Sequence, residues 1–364
     1  MHPSQRRSTL TDVDALTSLL HEARARGAQI TRSVLEAPWS LRFTDGAPLT
    51  LITLLRGSAW IIKESPGHGA GAGRAERAGR ADHAGRREAD HAGRREAVAE
   101  GSRGPLLIKP GDMAVVRGPG PYVIADDPAT APRVVIHGPD RCTTPDGRDI
   151  TAEMALGPRT CGERSADSAV LLVGSYQADG DVCDRLLSAL PDVLVVPDES
   201  EHCAVLDLVA AELSRDAPGQ QAVLDRMLDL LLVATLREWF ERPEAHAPGW
   251  YRALDDPVVG TALRLLHDDP ARPWTVATLA AETGVSRASL ARRFTALVGE
   301  PPIAYLTDWR MAKAADLLRR PDVTVGSVAR QVGYANAFAL SAAFKRLRGL
   351  SPSEHRAAVR AVRP

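Results

Sequence analysis

The chain has 364 residues and a mass of 39.0 kDa, which is more than one hydrophobic core usually holds, so we expect two domains. Hydrophobic residues make up 44% and charged residues 25%, the balance of a soluble globular protein, and the 4% of aromatic residues excludes a domain built on a large aromatic cluster. No apolar run reaches the ~20 residues of a membrane helix, and Arg6 and Arg7 are not followed by the apolar segment of a secretory signal. We therefore expect a cytoplasmic protein without membrane contact.

The net charge of −1 conceals an uneven distribution. From Pro257 to the C-terminus there are 16 Lys and Arg against 8 Asp and Glu, whereas the rest of the chain has 29 basic and 38 acidic residues. The C-terminal segment therefore carries +8 and the remainder −9. A basic segment on an acidic body favours contact with a polyanion.

The N-terminal half predicts one helix and then a series of strands. Residues 11–26 predict a helix with its apolar residues on one face and Asp12 as its cap. Short apolar runs separated by turn residues then predict β-strands at 51–55, 59–62, 106–108, 113–116, 134–137 and 170–173. Several short strands of this kind favour a small β-sandwich or barrel.

A low-complexity stretch at 66–104 interrupts the strand pattern. It consists almost entirely of Ala, Gly, Arg, Glu, Asp and His, and the octad at 81–88 recurs unchanged at 89–96. Such a composition buries too little apolar surface to offset the entropy lost on ordering. We predict a disordered insertion in a hairpin and no metal-binding or phosphate-binding repeat.

The four cysteines between positions 142 and 203 lack the close spacing of a zinc site. One interpretation is that all are reduced thiols packed as small hydrophobic groups. The other is redox sensing at Cys142 or Cys161, because Arg141 and Arg159 lie close to them in sequence and could lower the thiol pKa.

After residue 181 the pattern becomes helical. A short helix is predicted at 182–190, and a pair of longer helices at about 200–215 and 219–241. The last of these has a broader apolar face than core packing needs, which indicates a homodimer contact. The Pro-rich stretch at 242–248 is typical of a linker.

The C-terminal hundred residues contain one helical pattern twice. In the first copy, a short helix at 276–283 and a turn at Gly284 lead to Ser286, which caps a second helix at 287–297. Glycine supplies the positive φ of a tight turn, and the small Ala280 lets the two helices approach closely.

The second copy repeats this order, with a helix at 325–332, a turn at Gly333 and a cap at Asn336. The helix after the cap carries three apolar residues of the pattern: Phe338, Leu340 and Phe344. Two copies in register are typical of helix-turn-helix units, in which the second helix enters the major groove.

The distance between the two copies also has a physical meaning. Phe294 and Phe344 lie 50 residues apart, and a helix is predicted between them at 303–320. Eighteen residues span roughly 27 Å in a helix, which is comparable with the ~34 Å between successive major grooves on one face of DNA. One chain can therefore place two recognition helices in adjacent grooves.

The stretch from Trp274 through Arg356 resembles the DNA-binding domain of AraC/XylS-type transcription regulators. In the first unit and the connecting helix the matching residues are Leu279, Ala280, Ser286, Leu290, Arg292, Phe294, Gly299, Arg310, Ala314, Leu317 and Leu318. In the second unit they are Val328, Ala329, Val332, Gly333, Tyr334, Phe338, Phe344, Lys345, Arg346, Gly349, Ser351, Pro352 and Arg356. The chain departs from the family pattern at Ala335 and Ala339, where polar residues are frequent.

The N-terminal half resembles the cupin-like sensor domain of some of these regulators, through turns at Gly57 and at 110–112. Catalytic cupins hold a metal with a His-x-His pair, a Glu and a later His, and none of these stands at the corresponding strands. His137 is alone on its strand. We therefore predict no metal, no cofactor and no enzymatic activity. The alternatives are a metal-dependent cupin enzyme fused to a DNA-binding tail, or a cysteine-based DNA-alkyl acceptor.

Recognition helices read bases through the exposed residues near their N-termini, and nearby basic side chains hold phosphates. In the first unit the predicted DNA-binding residues are Arg287, Ala288, Ser289, Arg292 and Arg293, the last on the DNA backbone or on the protein surface. In the second unit they are Asn336, Ala337, Ala339, Leu340 and Ser341, with Lys345 and Arg346 on phosphates. Leu340 also fits the core, because it lies four residues before Phe344.

The sequence as a whole predicts an α+β protein, with an N-terminal cupin-like β-sandwich or barrel with flanking helices and an all-α C-terminal domain with two helix-turn-helix units. The predicted divisions are a sensor domain at 1–180, a helical dimerisation and coupling segment at 181–241, a linker at 242–256 and a DNA-binding domain at 257–364. We expect a transcription regulator whose partners are double-stranded promoter DNA, a second copy of the chain, a small-molecule or oxidant signal and, for an activator, RNA polymerase.

Overall fold

The computed structural model describes residues 29–64, 104–163, 168–176, 180–198, 203–215, 217–245 and 247–362. The chain divides into two compact units. The β unit holds the described parts of 27–175 and 191–245, and the helical unit holds those of 176–190 and 246–364. The predicted helix at 11–26 and, apart from Gly104, the predicted insertion at 66–104 lie outside the described residues.

The β unit is a sandwich of two sheets. Its strands are β1 (Gln29–Leu35), β2 (Ser40–Phe43), β3 (Leu49–Arg56), β4 (Ala59–Lys63), β5 (Leu106–Ile108), β6 (Met113–Arg117), β7 (Tyr122–Ala125), β8 (Val134–Gly138), β9 (Arg141–Thr143), β10 (Ala155–Gly157), β11 (Thr160–Gly162), β12 (Ala169–Tyr176) and β13 (Val193–Val196). One sheet has seven strands in the order β10-β11-β1-β12-β3-β6-β13, and the other has six in the order β5-β4-β7-β2-β8-β9. All six predicted strands are confirmed.

The core of the β unit lies between the two sheets. Strand β3 lies inside the seven-stranded sheet, and its first six residues, Thr50 and Thr53 included, are all buried, which is why no charged residue alternates with its apolar ones. The shared core contains Ile52 and Leu54 from β3, Ile61 from β4 and Ile124 from β7. Strands β4 and β5 pair antiparallel, so the low-complexity stretch connects two adjacent strands, as the sequence predicts.

Three α-helices, α1 (Thr151–Met154), α3 (Cys203–Leu213) and α4 (Gln220–Glu241), and a 3-10 helix at Pro243–Ala245 complete the β unit in the described part of the chain. The predicted helix pair is confirmed in α3 and α4. The side-chain amide of Gln220 donates to the carbonyl oxygen of Glu212 at 2.7 Å and ties the start of α4 to the end of α3. Helix α4 buries Leu224, Leu228 and Leu236.

The helical unit contains α2 (Asp181–Leu187), α5 (Gly249–Arg252), α6 (Val259–Asp268), α7 (Val276–Glu282), α8 (Arg287–Val298), α9 (Pro302–Leu318), α10 (Val325–Gln331), α11 (Ala337–Arg348) and α12 (Pro352–Val362). The predicted helices at 182–190, 276–283, 287–297, 303–320 and 325–332 correspond to α2 and α7–α10. The fold is α+β, with a cupin-like sandwich and an all-α unit. No helix of the described residues is both long and apolar enough to span a bilayer.

The observed division places α2 differently from the predicted one. The sequence groups 181–241 as a single helical segment, but α2 belongs to the helical unit, whereas α3 and α4 belong to the β unit. The chain therefore leaves the β unit after β12, forms α2 and returns to the β unit at β13.

Candidate nucleic-acid interface

The first helix-turn-helix unit is formed by α7 and α8. The hydroxyl of Thr275 caps α7 by accepting the backbone N–H of Thr278 at 3.1 Å, and the hydroxyl of Ser286 caps α8 by accepting that of Ser289 at 3.2 Å. Gly284 has a φ of 72°, as the predicted turn requires. The packed face of the unit consists of Leu279, Ala280, Leu290 and Phe294, all buried.

Most of the predicted DNA-binding residues of α8 lie on its open face. Arg287, Ala288 and Arg292 are exposed, and Ser289 is half-buried. An exposed guanidinium in the first turns of a recognition helix has the reach and the paired donors to bind guanine O6 and N7. The first unit therefore presents two arginines where a recognition helix reads bases.

Arg293 is held by the protein itself. Its guanidinium Nε and Nη2 lie 2.8 Å and 2.7 Å from Oδ2 of Asp256. Asp256 also accepts the backbone N–H groups of Val258 and Val259 at 3.0 Å and 2.9 Å, at the start of α6. Burial opposes ionisation of Asp256, but these N–H groups and Arg293 together lower its pKa. Of the two roles predicted for Arg293, this contact corresponds to the one on the protein surface.

The second unit is formed by α10 and α11 with the same construction. Gly333 forms the turn with a φ of 80°, and Oδ1 of Asn336 accepts the backbone N–H of Ala339 at 2.9 Å, which confirms the predicted cap. Lys345 and Arg346 are exposed in the last turns of α11. The packed face consists of Val328, Ala329, Leu340, Ala343 and Phe344.

The prediction that Leu340 reads DNA is wrong. Its side chain is completely buried in the core shared with Val328 and Phe344, because a residue four positions before Phe344 lies on the same face of the helix. Ala337, Ala339 and Ser341 are half-buried, and the hydroxyl of Ser341 donates to the carbonyl oxygen of Ala337 at 2.7 Å.

The sequence reasoning missed Phe338 as a surface residue. The pattern treated it as part of the apolar frame, but its side chain is 83% exposed in the second position of α11. A signal for this was present in the sequence. The caps Ser286 and Asn336 lie 50 residues apart, so Phe338 corresponds to the predicted groove-facing Ala288.

The comparisons with known proteins agree with this geometry. A family model described as a helix-turn-helix domain matches residues 279–358, and one described as a cupin matches 14–75 and 91–241. A putative AraC-like transcription regulator of Streptomyces lividans is 36% identical over 256 residues, which cover 69% of this chain and 80% of the relative. The chain belongs to the family of AraC-type transcription regulators.

Two further proteins are similar to this AraC-type regulator. A putative AraC-like transcription regulator of Streptomyces antibioticus is 33% identical over 261 residues, covering 71% of this chain and 82% of the relative. A second similar protein is the DNA-binding domain of AdpA, a global transcriptional factor, whose crystal structure was solved in complex with a target DNA. Its sequence is 36% identical, and the match covers 30% of this chain and 98% of that chain with a TM-score of 0.28. The cupin match omits 76–90, which lie in the low-complexity stretch.

The connecting helix α9 joins the two units of this AraC-type regulator through main-chain contacts. Arg310 donates from Nε to the carbonyl oxygen of Pro270 at 2.7 Å and from Nη2 to that of Arg272 at 2.8 Å. Arg356 of α12 donates to the carbonyl oxygens of Leu318 and Val323 at 3.2 Å and 2.8 Å. These two family-pattern arginines therefore stabilise the packing of the helical unit.

A buried aromatic stack lies against α9. His267 of α6 lies 2.7 Å from the hydroxyl of Tyr305, measured from Nε2, and its ring stacks on Trp309 with centroids 4.3 Å apart. Burial, together with the charges of Arg185 and Lys313, lowers the pKa of His267 to about 3. The imidazole is therefore neutral at physiological pH and acts as a packed hydrogen-bonding ring.

Helix α2 packs on α9 and contacts both helix-turn-helix units. The carboxylate of Asp316 in α9 accepts the backbone N–H groups of Asp181 at 2.7 Å and Val182 at 3.2 Å. Asp181 also forms an ion pair with Arg348, the last residue of α11. This contact ties the start of α2 to the end of the second recognition helix.

Arg185, in the last turn of α2, faces the first unit. Its Nη2 lies 3.8 Å from Oε1 of Glu300, just after α8, and its guanidinium lies 5.0 Å from the centroid of the Tyr305 ring. Burial raises the pKa of Glu300 in spite of Arg185. One short helix thus contacts the last residue of the second recognition helix, Glu300 just after the first one, and both ends of the helix that joins them.

The thiols of Cys142 and Cys161 do not have the lowered pKa that redox sensing was expected to need. Burial raises the pKa of Cys142. Burial also raises the pKa of Cys161, and the hydrogen bond between its sulfur and Oγ of Ser33, 3.3 Å away, opposes this shift. The expected lowering by Arg141 and Arg159 is therefore wrong, because desolvation of the thiolate is the largest influence on the pKa of both thiols. Redox sensing at either cysteine stays a prediction.

The residues of the β unit do not fit the metal that catalytic cupins hold. In the part of the chain that the structure describes, no group of three or more His, Cys, Asp or Glu side chains has the geometry to hold an ion. His137 is exposed, with Nδ1 3.2 Å from the Thr44 hydroxyl and Nε2 3.0 Å from that of Thr143. It joins the exposed Thr44 to the buried Thr143.

Proposed function

We propose that this AraC-type regulator binds promoter DNA with α8 and α11 in successive major grooves on one face of the duplex, in the cytoplasm. The observation that carries the proposal is the duplication of a capped, packed helix pair with its second helix open to solvent. Helix α9, with 17 residues, is about 26 Å long, a length suited to two grooves about 34 Å apart. The surplus of +8 charges after residue 257 supports contact with phosphates.

The test is binding of the purified full chain to the region upstream of its own gene, by footprinting and fluorescence anisotropy. We expect two protected segments about one helical turn apart and an affinity that falls steeply with salt, because neutralised phosphates release counterions. The test variant is Arg287→Ala, and its matched control is Arg320→Ala. Arg320 is exposed in a surface pair with Asp322, outside the recognition helices, so only Arg287→Ala should weaken sequence-specific binding. Protection no different from random DNA contradicts the proposal.

For the β unit we propose a sensor role and a dimer contact through α4. Val223 and Leu230 are 41% and 54% exposed and lie seven residues apart, which puts them on the same face of the helix. A second copy of the chain covers such a face by packing the same helix against it. Leu230→Glu should shift sedimentation velocity towards the monomer, whereas Gln221→Glu, an exposed change about 180° around the same helix from Leu230, should not. A monomeric wild-type chain at micromolar concentration contradicts the dimer.

We propose that α2 carries the state of the sensor to the DNA-binding unit. The chain runs from β12 through α2 to β13. A small-molecule or oxidant signal that shifts the position of these strands therefore also shifts the position of α2. Because α2 contacts the ends of α8 and α11, its position fixes the spacing of the two recognition helices. For an activator, the DNA-bound form then recruits RNA polymerase.

The spacing argument is tested with operators in which one or two base pairs are inserted between the half-sites. The wild-type chain should bind the altered operators much more weakly than the natural one. Arg348→Ala removes the ion pair with Asp181 and should reduce the difference in affinity between the natural and the altered operators. Arg320→Ala should leave that difference unchanged. Equal sensitivity to spacing in all three proteins contradicts the role of α2.

We also propose that the protein acts by binding alone and not as an enzyme. Its relatives of known description are transcription regulators, and the described β unit lacks a metal-ligand set. Elemental analysis of the purified chain is the direct test. A stoichiometric transition metal would favour the alternative of a cupin enzyme fused to a DNA-binding tail.

A further inference from the structure

The two recognition helices have opposite surface chemistry although their frames are the same. With an offset of 50 residues, the caps Ser286 and Asn336, the buried Leu290 and Leu340, and the buried Phe294 and Phe344 all coincide. The three arginines of α8 then correspond to three alanines of α11, at 337, 342 and 343, and between the cap and Phe294 the one residue that changes from small to large is Ala288, which becomes Phe338.

The polar groups at the start of α11 are used inside the helix. Oδ1 of Asn336 accepts the backbone N–H of Ala339, and the hydroxyl of Ser341 donates to the carbonyl oxygen of Ala337. The basic side chains of α11 come only at its end, at Lys345, Arg346 and Arg348, and Arg348 is paired with Asp181. The first two turns of α11 therefore present an apolar surface whose one large side chain is Phe338.

Phe338 is the most exposed large apolar side chain of the described residues, at 83%, and the others reach 58% at most. A single exposed apolar residue is ordinary on a protein surface. The position of Phe338 gives its exposure a meaning, because it stands where the equivalent helix presents its groove-facing residues. Small neighbours, Ala337 and Ala339, let the start of the helix approach a base edge without steric hindrance.

We propose that Phe338 reads thymine through its 5-methyl group in the half-site bound by the second unit. This inference rests on the proposed function, since it requires α11 to enter the major groove. The methyl of thymine is the apolar group that base pairs display in that groove, and a phenyl ring, which neither donates nor accepts conventional hydrogen bonds, distinguishes it by contact. The first half-site is then read by arginine hydrogen bonds to guanine, and the second by apolar contact with thymine.

The experiment starts with selection of operator sequences from a random duplex library by the full chain. Each thymine of the selected second half-site is then replaced singly by deoxyuridine, which removes the methyl and keeps every hydrogen-bonding group. One replacement should weaken wild-type binding about fourfold, the effect of one buried methyl group. The Phe338→Ala protein should bind the thymine operator more weakly than wild type does, by at least the same factor. Its affinities for the thymine operator and for the deoxyuridine operator should be equal.

Leu347→Ala is the matched control, because Leu347 is also an exposed apolar residue of α11, at 43%, but lies in its last turn. It should retain the full deoxyuridine effect. Because Phe338 is exposed, its replacement leaves the buried frame intact, and equal melting temperatures of the three proteins verify this.

The outcomes separate this inference from the proposed function. If the full chain selects no sequence, the proposed function fails. If it selects a sequence but wild type and Phe338→Ala respond alike to every deoxyuridine, the reading of thymine by Phe338 is overturned and the proposed function stands. Loss of self-association or of transcription activation in Phe338→Ala, with unchanged DNA binding, would overturn it too and assign Phe338 to a protein partner.

Discussion

Replacing Asp316 by alanine should release α2 from the helical unit. Helix α2 has only seven residues, far fewer than the ~12–15 that a helix needs to be stable alone. Its N-cap position is Gly180, which offers no side-chain cap, so the N–H groups of Asp181 and Val182 depend on the carboxylate of Asp316. An added Cβ at Gly180 would lie 2.7 Å from Oδ1 of Asp316, so the close approach itself requires glycine.

The magnitude follows from what the carboxylate does. Loss of a helix cap costs about 0.5–2 kcal/mol, and loss of hydrogen bonds to a charged acceptor costs about 1.5–3 kcal/mol. We therefore expect Asp316→Ala to lower the free energy of local opening of α2 by about 2 kcal/mol. Since 1.36 kcal/mol is a factor of ten, amide hydrogen exchange at Asp181 and Val182 should become about 30-fold faster.

The assay is hydrogen exchange followed by mass spectrometry on peptides that cover α2. Asp316→Asn retains an oxygen acceptor without the charge, so its exchange rate should fall between those of wild type and Asp316→Ala. Asp322→Ala removes an exposed carboxylate of the same unit and should leave α2 unchanged. Equal protection of α2 in Asp316→Ala and wild type would refute the assignment of Asp316 as its cap.

Three further predictions concern DNA contact, acid stability and thiol reactivity. Arg287→Ala and Arg292→Ala should each weaken operator binding by about tenfold or more and relax the preference for guanine at one position, as measured by anisotropy on single-base variants; an unchanged base preference contradicts direct reading. His267 is neutral when folded, with a pKa of about 3, but takes up a proton near its ordinary pKa of ~6.5 when unfolded. The free energy of unfolding should therefore fall as the pH drops below ~6.5 towards 3, by at most about 1.4 kcal/mol per pH unit, and denaturant titrations should show that His267→Gln loses this contribution; identical pH profiles contradict it. Burial raises the pKa values of Cys142 and Cys161, so both thiols should react with iodoacetamide at pH 7.5 more slowly than glutathione does. Peptide mapping measures these rates, and rates equal to that of glutathione would favour an activated thiolate.

The helix-turn-helix units could be predicted because their signals are local. The caps Ser286 and Asn336 act within three residues of the helices they start, and Gly284 sets its turn through backbone conformation alone. The strands β3, β4, β6 and β12 were likewise visible as apolar runs between turn residues. Each of these features is encoded in a window of fewer than ten residues, so the chain needs no distant partner to specify it.

The tertiary structure decided what depends on distant partners. The order of the strands is one case, since β1 pairs with β12, placing Arg32 opposite Leu172, and no local signal contains that register. The docking of α2 is another, because the cap at Asp316 lies 135 residues from Asp181. The retention of Arg293 by Asp256, 37 residues away, is a third.

The surface of α11 combines a feature that the sequence determined with one that only the tertiary structure decided. The sequence alone determined that an apolar helix follows Asn336, and its 50-residue repeat aligns Leu340 with Leu290, but Phe338 and Leu340 are both large and apolar, and composition does not tell them apart. Packing against Val328 and Phe344 buries Leu340 completely, whereas Phe338, about 200° further back around the helix, is left 83% exposed. Which of the two side chains meets the core and which is available to DNA follows from the direction in which the second unit packs, because burial is a property of the neighbours that a fold supplies.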